Sequence, residues 1–158
     1  CKKVVHFRGA IAVESPYHDR HYEFARIMKE HNVECYDYEL AWNRFDVEYY
    51  EEAVKDLFQK IGDWEFDGIF GCDRVAIECM NEVIRRHRKI PKDVKCIAYD
   101  GTYVTQMVEP SVTAIVQPIE NLARESAKLI CDLVNGKQHK NKQVVLNVSL
   151  RKGKTTIV

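Results

Sequence analysis

The side chains with the most chemistry in this sequence gather at four places. Glu14, Ser15 and Arg20 lie in 8–20, Trp42 and Phe45 in 40–46, Cys72 and Asp73 in 71–73, and Asp100 at the start of 100–106. Together they offer a guanidinium, carboxylates, a hydroxyl, a thiol and aromatic rings. Charged planar groups make paired hydrogen bonds to adjacent hydroxyls, and a ring face stacks on the C–H side of a sugar. The set therefore suits a polyhydroxylated small molecule. It serves nucleotide phosphates poorly, because the first strand candidate has no G-x-G-x-x-G turn and no G-x-x-x-x-G-K-[ST] occurs.

Each residue also has a plain structural reading. Arg20, in the first turn of a helix candidate, is either a ligand contact or a solvated charge. Asp100 before Gly101 either caps a turn or meets a ligand; its place at the end of a central strand favours the ligand. Phe45 and Trp42 read equally as peripheral core rings. Asp73 reads as a helix N-cap. Cys72 has no histidine at a neighbouring junction to activate it, so it is not assigned as a nucleophile. An enzyme built on Asp100 would need a second carboxylate or a metal site that the spacing does not offer. The six histidines lack H-x-x-x-H and H-E-x-x-H spacing, so they are assigned to surface or core. No catalytic residue, metal or cofactor is expected.

These positions matter because of the elements that must carry them. Strand and helix signals alternate over residues 1–100: strand candidates at 2–7, 33–40, 66–71 and 94–100, helix candidates at 15–31, 46–62 and 73–89. Ser15-Pro16 is a helix start, Asp46 a cap and Gly62 a stop. Ile77, Met80 and Ile84 are the expected core stripe of the third helix. The order β-α-β-α-β-α-β predicts an α/β fold with a parallel, doubly wound sheet and right-handed crossovers. In such sheets ligands sit at the carboxyl ends of the strands, where the four clusters fall.

Composition narrows the class. The 158 residues are 46% apolar and 30% charged, enough for a core and a solvated surface. Lys+Arg and Asp+Glu balance at 24 each, so the chain by itself is a poor nucleic-acid binder. No apolar run is long enough for a bilayer span. Six cysteines without ligand spacing read as reduced thiols of a cytoplasmic protein. The first residue is Cys1, directly before a strand candidate and without Met, which predicts that a natural N-terminus has been removed.

From Phe66 to Val134 the sequence carries an ordered set of motifs: Cys72-Asp73 opening a helix, Ile90-Pro91-Lys92-Asp93-Val94, Ala98-Tyr99-Asp100, and Pro110 to Pro118. With Arg20 to Phe24 and the tail from Ser149 to Val158, this set resembles the lactose-repressor/galactose-repressor family of bacterial regulators, and Asp100-Gly101-Thr102 is similar to sucrose-operon repressors. The resemblance implies a periplasmic-binding-protein type I-like effector domain, present here incompletely. It implies that 1–111 form the C-terminal subdomain, that 112–140 are a crossover strand and helix of a missing N-terminal subdomain, and that 141–158 return to the first. It also implies ligand duties for Arg20, Asp100 and the aromatic Phe45, with further contacts from Glu14 and Ser15. Cys72 stands where many members have Asn or Ser, and Glu23 where they have Gly; a thiol is a weak partner for a hydroxyl.

The function this implies is sugar sensing in a transcription regulator: a ligand biases a hinge, and closure alters operator affinity. Operator DNA would be met only through an N-terminal helix-turn-helix absent from this sequence, the regulator would be a homodimer, and it would have no membrane partner. A periplasmic-type sugar-binding protein for transport is the alternative, which a helix-turn-helix or a signal peptide upstream of Cys1 would decide. One further expectation concerns Ile119, Leu122, Ala123, Ser126, Leu129, Ile130 and Leu133, a stripe at helical spacing. Deprived of its sheet, this helix is predicted to dock elsewhere on the domain or against another copy.

Overall fold

The computed structural model describes residues 1–9, 16–41, 44, 46–137 and 143–156, with residues 16–18 described in backbone only. Six strands form one sheet: β1 (Lys3–Gly9), β2 (Glu34–Leu40), β3 (Gly68–Cys72), β4 (Lys95–Asp100), β5 (Thr113–Val116) and β6 (Ser149–Arg151). Their order is β2-β1-β3-β4-β5-β6. The first five are parallel, and β6 runs antiparallel to β5. Between them lie α1 (Pro16–Glu30), α2 (Val47–Ile61), α3 (Asp73–Arg85), the short α4 (Val104–Met107) and α5 (Ile119–Val134). The alternation over residues 1–100 is as the sequence predicts. The chain leaves β1 toward β2 and returns past it to β3, so connections diverge between β1 and β3 and open a crevice at their carboxyl ends.

Strand alternation divides the core. Val5 and Phe7 of β1 and Cys96 and Ala98 of β4 meet Val54 and Leu57 of α2 and Val75, Cys79, Met80 and Val83 of α3, all buried. On the other face His6, Phe70 and Tyr99 stack in sequence under Phe24 of α1. The start of α2 is fixed by Asp46, whose carboxylate accepts from the Tyr49 N–H at 2.8 Å, and its end by Gly62 at φ 53°. Close approach of α3 to the sheet requires Gly71, since a Cβ there would stand 2.9 Å from Val75 Cγ1.

Four expectations need correction. Ile84 is exposed; the sheet takes the neighbouring stripe Val75, Ala76, Cys79, Met80 and Val83, which has the same helical spacing. Asp73 is the first residue of α3 rather than its cap, and Cys72 takes the cap position. Residues 113–116 do not leave for another subdomain: β5 is bonded on both sides, to β4 and β6, and Val112, Thr113 and Ala114 are buried. Finally, α5 has no docking surface among the described residues. None of its residues is buried, and Leu122 and Leu133 are 51% and 64% exposed.

The tail closes the sheet in a way that no pattern announced. Of the returning segment, only Ser149–Arg151 is a strand among the described residues. Beyond it Thr155 is fully buried between β4 and β5. Its hydroxyl donates to Cys96 O at 2.6 Å and accepts from Thr113 N–H at 2.9 Å, while its carbonyl accepts from Cys96 N–H at 3.1 Å. Gly153 allows this approach, because a Cβ there would overlap the backbone of Ser111, Val112 and Thr113.

Candidate functional site

Arg20, Cys72 and Asp100 converge at the carboxyl ends of the strands. Arg20, in the second turn of α1, lays its guanidinium over Tyr99, with Cζ 4.0 Å from the ring centroid. Such a contact holds a cation in place by the ring's negative face. Tyr99 is itself buried, and burial pushes its hydroxyl's pKa up; the charges of Cys72 and Asp100 add to this, while Arg20 opposes it. Arg20 thus stands over the last strand residue before Asp100. Glu14, Ser15, Trp42 and Phe45 lie outside the described residues.

Asp100 sits at φ 100°, a conformation rarely used by residues with a side chain. Three neighbours hold it there. Gln117 donates from its backbone N–H to Asp100 O at 3.1 Å and from Nε2 to Oδ1 at 2.8 Å. Asp73 accepts from Gly101 N–H at 3.1 Å and from both Thr102 N–H and Thr102 Oγ1 at 2.6 Å. From β6, Arg151 Nη2 donates to Gly101 O at 3.0 Å and Thr102 O at 3.2 Å. Gly101, at φ 66°, completes the turn; a Cβ there would lie 2.7 Å from Val116 Cα. Burial raises the Asp100 pKa and the Asp73 charge adds to it; the Gln117 hydrogen bond and the Arg20 charge pull the other way.

Cys72 occupies the N-cap position of α3. Burial raises its pKa, as do the charges of Asp100 and Asp73, against hydrogen bonds from Val75 N–H and the Tyr50 hydroxyl. A thiol kept protonated is a poor nucleophile. The site therefore offers a cation set on the Tyr99 ring and a carboxylate at the end of β4. These groups can grip hydroxyls, and among the described residues of the site none is activated for bond cleavage.

Sequence reasoning missed Asp73, Gln117 and Arg151 as supports of this loop. Asp73 carried a signal, since it follows the strand directly, but local pattern assigned it to its own helix. Gln117, just past β5, and Arg151 of β6 lie far from the loop in sequence and had none.

The family model for the periplasmic binding protein-like domain matches residues 1–156. The chain belongs to this family. Among curated relatives it is 28% identical over 99 residues to the transcriptional regulator CelR of Thermobifida fusca, covering 62% of this chain and 28% of that protein. It is 27% identical over 138 residues to a ribose operon repressor of Halalkalibacterium halodurans, covering 87% and 40%. A solved periplasmic binding protein/LacI transcriptional regulator from Alkaliphilus metalliredigens, complexed with D-xylulofuranose, superposes with a TM-score of 0.82 at 28% identity, covering 100% of this chain and 58% of that one. The resemblance to effector domains of lactose-repressor-type regulators is borne out, and these named relatives are regulators rather than enzymes. The chain spans well under two thirds of each. No helix among the described residues of this periplasmic-binding-protein-like chain is long and apolar enough to cross a membrane.

Proposed function

We propose that this chain is the larger part of an effector-sensing domain in a DNA-binding regulator, and that its effector is a sugar or sugar derivative. The observation that carries this reading is the opposed pair Arg20 and Asp100, the first set on the Tyr99 ring and the second clamped by Gln117. The named relatives support it, since one is a ribose operon repressor and another is a protein of this fold complexed with D-xylulofuranose. A second subdomain, outside this sequence, closes over the strand ends when sugar binds. It also covers the apolar stripe of α5, whose leucines would otherwise stay wet. Closure then shifts a two-state hinge read by a homodimer and by DNA-binding segments beyond this sequence. Six free cysteines fit a reducing cytoplasm better than transport duty outside it.

A thermal-shift screen of the full-length protein against mono- and disaccharides and their phosphates identifies the effector, because a ligand of the folded state raises Tm. Arg20→Ala and Asp100→Asn should then each weaken that effector by roughly ten- to a hundredfold, the value of one charged hydrogen bond at about 1.5–3 kcal/mol. Parental affinity in both variants would remove the site assignment.

A further inference from the structure

A second constellation lies deeper on the α1 face. In the parallel register of β1 and β2, His6 stands opposite Asp37, and their Nδ1 and Oδ1 are 3.0 Å apart. His21, the residue after Arg20 on α1, brings Nε2 to 3.8 Å from the other carboxylate oxygen of Asp37. The three donor atoms all lie within 4.8 Å of one another. His6 is 2% exposed, enclosed by Phe24 at 4.4 Å and Phe70 at 5.5 Å between ring centroids. Its ring lies nearly parallel to that of His21, at 13° and 5.4 Å, so both imidazoles address the same carboxylate.

We propose that His6, His21 and Asp37 bind a divalent transition-metal ion of the zinc class, leaving one position for water. Two imidazole nitrogens and one carboxylate oxygen are the borderline donor set that such ions prefer. Around a tetrahedral ion with bonds of about 2.0–2.2 Å, neighbouring donors stand roughly 3.2–3.6 Å apart. The 3.0 and 3.8 Å separations run to the two different oxygens of Asp37, and one donor from each residue lies within 4.8 Å of the others. The donors must therefore draw in around the ion, and His21 can supply that movement as the more accessible imidazole. The donors come from two paired strands and a helix, which hold geometry better than loops. The nearby cation Arg8 is held by Glu39 at 2.7 Å. Packing alone explains a buried His–Asp pair, but not a second imidazole aimed at the same carboxylate.

The test uses full-length, tag-free, metal-stripped protein titrated with zinc by calorimetry and with cobalt(II) by visible absorption. The expected result is one equivalent bound and a raised Tm, both without sugar, so that the outcome is independent of the effector reading. His21→Gln and Asp37→Asn, the latter nearly isosteric, should each weaken the ion at least tenfold. Cys35→Ser should leave affinity unchanged, although Cys35 lies two residues before Asp37 on the same face of β2. The proposal fails if binding is not saturable, if both ligand variants bind as the parent does, or if only Cys35→Ser abolishes binding.

Discussion

Asp73→Ala tests whether the Asp100 loop is held from below. The carboxylate of Asp73 is 4% exposed and receives Gly101 N–H, Thr102 N–H and Thr102 Oγ1. Gly101 is buried, so its stranded N–H should cost about 1–3 kcal/mol. Thr102 is exposed and water can replace part of what it loses, at about 0.5–1.5 kcal/mol for each of its bonds. The sum is roughly 2–6 kcal/mol, an upper figure because the substitution also relieves repulsion with Asp100. For a chain of this size that lowers Tm by roughly 4–24 °C. Released at Gly101, Asp100 would leave its φ of 100° and weaken the effector about tenfold or more. Asp73→Asn, which keeps one acceptor, should fall between. Thermal unfolding and effector titration of the full-length protein are the assays. A Tm within 2 °C of the parent (roughly 0.5–1 kcal/mol or less by the same scaling) together with unchanged affinity would refute the clamp.

Thr155→Val keeps shape but strands Thr113 N–H and Cys96 O in the interior, so urea unfolding should report a loss of about 2–4 kcal/mol, whereas Thr155→Ser should retain most stability; a larger loss in Thr155→Ser than in Thr155→Val would mean that the methyl, not the hydroxyl, matters. Asp100 has a raised folded pKa, so the folded state holds its proton longer than the unfolded chain does. Its destabilising contribution is absent below the ordinary carboxylate value near 4 and grows as pH rises through the folded pKa. Asp100→Asn should therefore match the parent in stability at low pH and exceed it at neutral pH; a constant difference across pH would contradict this. Leu122→Glu with Leu133→Glu should cost the full-length protein about 3–6 kcal/mol by thermal unfolding if α5 is covered there, and a change under about 0.5 kcal/mol would show an open face.

Much of the molecule was legible from residue order. Alternating short apolar runs and amphipathic stretches sufficed for the parallel β-α-β series. Asp46 and Gly62 marked α2 because capping and left-handed backbone are local chemistry. Arg20 and Asp100 could be nominated because a parallel sheet puts the carboxyl ends of its strands on one edge. Tertiary structure decided whatever depended on residues far apart in sequence. Which stripe of α3 is buried depended on the sheet beneath, since both candidates have the same period. Asp73 serves the loop at 101–102 and not its own helix, and Thr155 bonds to residues 59 and 42 positions away. His6, His21 and Asp37 share no motif spacing; strand register and the placement of α1 bring them together. Local pattern fixes dihedral preferences and faces, whereas side-chain partners across the sheet are set by register and packing, which no window of sequence contains.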